Sequence, residues 1–195
     1  MTEQQQKTIG IVLIDGFADW EFGLLAGGAA AHFGAKVVFM SPDGKPVTSI
    51  GGLEARPARG ISPGENGDLD AVALIGSDTW TSDAAPDLSP LLTLVRAKGG
   101  VAGGICAATA ALAKGGFLEG LRHTSNGREW LKGHAAGYPG AALYQDVPSA
   151  VSDSKIVTAP GTAPISFAAE FLANVYPEMR QMTEGVKAMF AAEHS

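Results

Sequence analysis

Val101-Ala102-Gly103-Gly104-Ile105-Cys106-Ala107-Ala108-Thr109-Ala110-Ala111-Leu112-Ala113 changes character at Cys106. Before it stands a short run with no polar side chain, which reads as a strand buried on both faces. After it come small helix formers. A strand that turns directly into a helix leaves the turn residue at the carboxyl edge of a sheet, over the free N–H groups of that helix. Those groups and the helix dipole favour a thiolate, the reactive form of cysteine. Hydrolases of the nucleophile-elbow kind present their serine in the same way. Cys106 is the only cysteine of the chain. A free cysteine in a core strand is usually buried and inert. Here, glycine before the sulfur and alanine after it leave room for a substrate beside it.

The same alternation extends in both directions. Residues 9–14 (Ile-Gly-Ile-Val-Leu-Ile) read as a first buried strand, turned by Asp15-Gly16 and followed by a helix over 19–32 that Gly34 stops. Residues 36–40 give a second strand, closed by Pro42-Asp43-Gly44. Residues 47–59 are Gly-punctuated and partly alternating, and predict a small antiparallel excursion. Residues 65–68 are a surface loop, and 71–75 (Ala-Val-Ala-Leu-Ile) a further buried strand. Leu88, Leu91, Leu92 and Val95 form one apolar helical stripe, ended by Gly99-Gly100. The helix after Cys106 ends at Gly115-Gly116, residues 123–126 read as a short strand, and 155–159 as another, broken by Pro160-Gly161. Ile165, Ala168, Leu172 and Val175 mark a late helix; Met179, Met182, Val186, Met189 and Phe190 mark the last. Such alternation predicts an α/β fold with a mainly parallel central sheet and helices on both faces. Sites in such folds lie outside the carboxyl ends of the strands. That singles out residues 15–21, 76–80, Cys106, Asn126 and residues 160–164.

With 195 residues the chain suits one domain, 1–195, with residues 1–7 as a polar lead-in. A net charge of -6 and no cluster of Lys or Arg argue against nucleic acid as partner. One cysteine makes no intramolecular disulfide, no apolar run is long enough for a bilayer, and the N-terminus lacks a signal pattern; the expected location is cytoplasmic, away from membranes.

Gly60-Ile61-Ser62-Pro63-Gly64 matches the G-x-S-x-G pattern of serine hydrolases, but polar loop follows where a helix is needed, so it is set aside. No phosphate-cradling glycine loop is present, and His32, His123, His134 and His194 show no metal spacing. His32 suits the last turn of a helix, His194 is in the tail, and His123 reads as a surface strand residue. His134, in a Gly-rich loop, is a candidate for reaching a site. Glu21 follows the first strand among Trp20, Phe22 and Leu24, with Asp19 in the cap position. A carboxyl in apolar surroundings has its pKa raised and can hold a proton near neutrality. Gly76-Ser77 follows another strand, where backbone N–H groups could stabilise an oxyanion; Trp80 is close enough in sequence to join that site.

Together these pieces resemble the ThiJ/PfpI superfamily, the flavodoxin-like group with a class I glutamine amidotransferase-like fold. It includes the Parkinson's-linked deglycase-like proteins and the PfpI peptidases. The resemblance covers about residues 8–176. Gly16-Phe17-Ala18-Asp19-Trp20-Glu21 is similar to the family's acidic loop, whose last glutamate contacts the cysteine. Leu74-Ile75-Gly76-Ser77 is similar to its Leu-Pro-Gly-Gly turn, and Gly104-Ile105-Cys106-Ala107-Ala108-Thr109 to its elbow. Ala159-Pro160-Gly161-Thr162-Ala163-Pro164 resembles the turn that closes the site. The resemblance implies a flavodoxin-like three-layer sandwich, with Cys106 as nucleophile and Glu21 as a protonated acid beside it. It implies oxyanion donors at the Ser77 and Ala107 N–H groups, a homodimer, no metal and no organic cofactor.

The departures narrow the chemistry. The peptidase branch has histidine directly after the cysteine, where Ala107 stands; without an adjacent base, peptidase activity is disfavoured. Glutamine amidotransferases carry His-x-Glu where this chain has Ala159-Pro160-Gly161, so glutaminase activity is disfavoured too. Glyoxalase and deglycase-like members have histidine in place of Asn126, which can hydrogen-bond a carbonyl but cannot shuttle a proton. The isonitrile hydratase branch uses aspartate in place of Glu21. The expected function is a cysteine-dependent enzyme, a hydrolase or lyase, acting on a small electrophilic carbonyl or amide-like substrate. In that reading Gly76, Ser77, Ala107 and Asn126 hold the oxyanion and orient the substrate. Two alternatives stand beside it. One is a non-enzymatic redox or stress-response protein that senses oxidants through Cys106; the other is a binding module with a vestigial pocket.

Overall fold

The structure, a computed structural model, describes residues 6–191. His194 and the first five residues of the polar lead-in lie outside the described residues. The elements run β1 (Thr8–Val12), α1 (Asp19–Phe33), β2 (Lys36–Met40), β3 (Val47–Thr48), β4 (Glu54–Ala55), β5 (Ala71–Leu74), α2 (Ser89–Ala97), β6 (Val101–Ile105), α3 (Ala108–Lys114), α4 (Arg128–His134), β7 (Val151–Asp153), β8 (Ile156–Ala159), α5 (Pro164–Val175) and α6 (Arg180–Ala191). Six strands form one sheet in the order β2-β1-β5-β6-β8-β7, parallel throughout except for the edge pair of β7 and β8. The excursion at 47–59 is a two-stranded antiparallel ribbon that pairs Val47 with Ala55.

The sheet divides the core by the two-residue period of a strand. Ile9, Ile11 and Leu13 pack on one face with Leu25 of α1 and Phe167, Phe171 and Leu172 of α5. Val12 and Ile14 pack on the other with Leu91, Leu92 and Val95 of α2 and Ala108 and Leu112 of α3. All five residues of β1 and of β6 are buried, as expected of central parallel strands covered by helices on both sides. These layers give the three-layer α/β architecture. The carboxyl ends of β1, β5, β6 and β8 therefore open along one rim.

Four local expectations are corrected. Residues 123–126 do not form a strand; a single bridge joins His123 to Tyr144. His123 is fully buried, not at the surface, with its ring edge-on to Tyr138 and Tyr144. His134 is the last residue of α4, not part of an open loop. Asp19 is not the cap of α1: Ala18 is, and the Asp19 carboxylate instead accepts the Gly51 N–H at 2.9 Å, tying the β3–β4 ribbon to the helix start.

Candidate active site

Cys106 sits between β6 and α3 with a φ of 59°, in the left-handed region. That conformation disfavours a residue with a Cβ by about 1–2 kcal/mol. Its N–H completes the ladder to Ala159 of β8 at 2.9 Å, and the bend then turns the side chain out of the sheet. The sulfur is half-buried at the floor of a hollow of about 570 Å³, lined by Trp20, Asn126, Gly161, Thr162 and Pro164. Among the described residues, no charged side chain lines it.

Glu21 reaches the same point from the first turn of α1. It is fully buried. Its Oε2 accepts the Gly76 N–H at 2.7 Å, and Oε1 has no hydrogen-bond partner among the described residues. Burial lifts its pKa from 4.5 to about 7; the Gly76 N–H and, after it, the Cys106 thiol pull the other way. Near neutrality the carboxyl therefore has a proton to give in its protonated form and an open Oε1 to receive one in its ionised form, directly beside the thiol.

Asn126 bridges two segments. Its Nδ2 donates to Cys106 Sγ at 3.2 Å, and its Oδ1 accepts the Gly161 N–H at 2.9 Å. The second bond fixes which end of the amide faces the sulfur. Gly161 also accepts the Trp20 indole N–H at 3.0 Å, which holds that half-exposed ring over the hollow's rim. Two glycines are required by contact. A Cβ at Gly161 would stand 2.7 Å from Cys106 Sγ and 3.0 Å from Glu21 Oε1. A Cβ at Gly76 would stand 2.5 Å from Glu21 Oε2 and 2.7 Å from Cys106 Cβ.

The thiol itself departs from expectation. Burial pushes its pKa up, and the Glu21 charge adds to that; the Asn126 amide and the Ala107 N–H pull it down without reversing it. Cover over the sulfur works against the dipole of α3, which has only seven residues.

The structure thus brings together Cys106, Glu21, Gly76, Ala107 and Asn126. The Gly76 N–H is spent on Glu21, so it is no oxyanion donor. Ser77 is buried; its hydroxyl donates to the Asp15 carbonyl at 2.6 Å. Trp80 and His134 do not line the hollow. Trp80 is a core residue whose indole N–H donates to the Ile75 carbonyl at 2.7 Å. His134 stacks on Trp130 and bonds its carbonyl at 2.8 Å. Gly161 and Trp20 fall inside the stretches 160–164 and 15–21 singled out above, but without roles of their own. Only spatial contact gives them their part.

Comparison with known proteins places these features in a lineage. The model of the DJ-1/PfpI family matches residues 7–174. The DJ-1 superfamily protein Atu0886 from Agrobacterium tumefaciens is 38% identical; its structure superposes with a TM-score of 0.88, covering 97% of this chain and all of that one (100%). A Bacillus subtilis protein named the uncharacterized protease YoaZ is 30% identical over 175 residues, 86% of this chain and 83% of its own. An AraC family transcriptional regulator from Pseudomonas putida shares the fold at 18% identity and a TM-score of 0.72, covering 94% and 99% of the two chains. The chain belongs to the DJ-1/PfpI family.

Proposed function

We propose that this protein is an enzyme in which Cys106 adds to the carbonyl carbon of a small, neutral electrophile. The observation that carries this reading is the unpartnered Glu21 Oε1, on a carboxyl with a pKa of about 7, beside the chain's single thiol. A resting thiol needs a base at the moment of attack, and an adjacent carboxylate that is half-ionised at neutrality can serve. The S–C bond forms while the carbonyl π pair moves onto oxygen. The thiol proton passes to Glu21 and from there to that oxygen, giving a hemithioacetal and returning Glu21 to its starting state. The Ser77 and Ala107 N–H groups are the donors available to the oxygen, and the Asn126 amide orients it. The uncharged, largely apolar hollow suits a small aldehyde or amide-like compound better than an ionic one.

Peptide hydrolysis is disfavoured on the same grounds as before. Ala107 follows the nucleophile, and the rings of His123 and His134 are turned to Tyr138 and Trp130. The decisive test is turnover of methylglyoxal-type substrates by wild type and Cys106→Ser; loss of turnover is expected, and undiminished activity in the variant overturns the mechanism. A second reading, peroxide sensing, draws on the Asn126 amide and Ala107 N–H that converge on the sulfur. Two equivalents of peroxide would carry the thiol to sulfinic acid, each equivalent being reduced to water. The raised thiol pKa weighs against it, because the thiolate is the species that peroxide attacks. Uptake of two oxygens at Cys106 under mild peroxide, with no turnover of any electrophile, would favour sensing.

A further inference from the structure

The carbonyl of Cys106 receives two bonds from Thr109: the N–H at 3.2 Å and Oγ1 at 2.6 Å. Thr109 Oγ1 also lies 2.6 Å from Ser125 Oγ. Both side chains are buried. A hydroxyl has one proton to donate, and a carbonyl can only accept. The Thr109 proton is therefore committed to the Cys106 carbonyl, and the proton between the two hydroxyls must come from Ser125. The order is fixed: Ser125 O–H to Thr109, Thr109 O–H to Cys106.

Ser125 immediately precedes Asn126, and its carbonyl accepts the Tyr144 hydroxyl at 3.2 Å. The segment around it has little ladder of its own. His123 makes one bridge, and the Thr124 N–H donates to Thr158 Oγ1 at 2.9 Å. Beyond Thr124, the contacts that set Asn126 are its own bonds to Gly161 and Cys106 Sγ, the Tyr144 hydroxyl on the Ser125 carbonyl, and the Ser125 hydroxyl bond to the elbow helix. We propose that Ser125 and Thr109 form a two-hydroxyl clamp that fixes the Asn126 amide against Cys106 Sγ and holds the elbow in its left-handed bend. They are positioning residues; neither faces the hollow. The clamp matters for catalysis only if Cys106 is the reacting group, as proposed above.

The groups around the thiol define how a pH titration reads. Glu21 of α1 faces it directly. His123, on the clamped segment, has its ring held by the Leu121 carbonyl and Tyr138. Arg128, at the start of α4, is held by the Ala141 and Tyr144 carbonyls. Rates of Cys106 alkylation by iodoacetamide across pH would be compared for wild type, Thr109→Val, Ser125→Ala, Asn126→Ala and the Ser125→Ala/Asn126→Ala pair. Each single variant is expected to move the thiol's apparent pKa upward, with alkylation roughly threefold slower near pH 8, about half a unit of pKa. Ser125→Ala is expected to add nothing in the Asn126→Ala background, and Thr109→Ser to keep the wild-type profile. Unchanged profiles in Thr109→Val and Ser125→Ala, or an equal Ser125→Ala effect with and without Asn126, would overturn the clamp. If Thr109→Val does not fold, as judged by far-UV circular dichroism, Ser125→Ala and its pair with Asn126→Ala decide alone. Alkylation needs no substrate, so a clamp that responds as expected in a protein without turnover would count against the enzyme reading and not against the clamp.

Discussion

Replacing Glu21 by Gln should reverse part of the pH dependence of stability. The carboxyl is fully buried, and its pKa rises from 4.5 to about 7 on folding. A group whose folded pKa is raised holds its proton more tightly in the native state. Its stabilising effect is complete below the unfolded pKa, near 4.5, and is lost as pH climbs through 7. At 1.36 kcal/mol per unit, the wild type should lose about 3 kcal/mol from this one group between pH 4.5 and pH 8.5. Glutamine has a similar shape, its carbonyl can still accept the Gly76 N–H, and it does not ionise. Glu21→Gln should therefore match wild type within about 1 kcal/mol at pH 4.5 and exceed it by about 2–3 kcal/mol at pH 8.5. Denaturant unfolding at a series of pH values measures both curves. Other carboxylates, such as Asp68 beside Arg59, are held below their ordinary range and act in acid; they are common to both proteins and cancel in the difference. Two parallel curves would refute the raised pKa, and with it the carboxyl's role as proton acceptor for Cys106.

Cys106→Gly should be more stable than Cys106→Ala by about 1 kcal/mol, because only the alanine variant keeps a Cβ at a φ of 59°; equal melting temperatures would deny the strain. Gly161→Ala should slow Cys106 alkylation and lower stability by about 1–3 kcal/mol, since the new methyl meets Sγ and Glu21 Oε1; an unaffected rate would mean that the turn yields freely. His123, whose pKa is lowered by burial, should favour the native state above its ordinary 6.5 and withdraw that support as pH falls below it. NMR titration of the ring would check this, and an ordinary midpoint would contradict it.

Much of this fold is legible in the chain because its central strands are short uninterrupted apolar runs. Residues 9–14, 71–75 and 101–105 have no other good reading, and the stripe of Leu88, Leu91, Leu92 and Val95 announces α2. The elements that escaped notice carry no such pattern. Helix α4 buries one residue, Leu131, and contains Gly133, so it has no apolar stripe to find. Strand β7 is three residues long, and its turn into β8 uses Ser154 and Lys155 at positive φ, where sequence rules look for Gly or Asn. The burial of His123 depends on Tyr138 and Tyr144 arriving from elsewhere. At the site, Cys106 and Glu21 could be named from their neighbours, but the ionisation of the thiol could not. Dipole and desolvation oppose each other there, and only the degree of cover decides between them.

The pocket around the sulfur has contributors from five well-separated stretches of chain: Glu21 after β1, Gly76 after β5, Cys106 after β6, Asn126 before α4 and Gly161 after β8. They run from residue 21 to residue 161, so the environment of that sulfur exists only once the four central strands have come into register. Because the molecule has a single sulfhydryl, its labelling rate doubles as an internal gauge of assembly. A reagent that finds it as fast as in denaturant has found a sheet not yet closed.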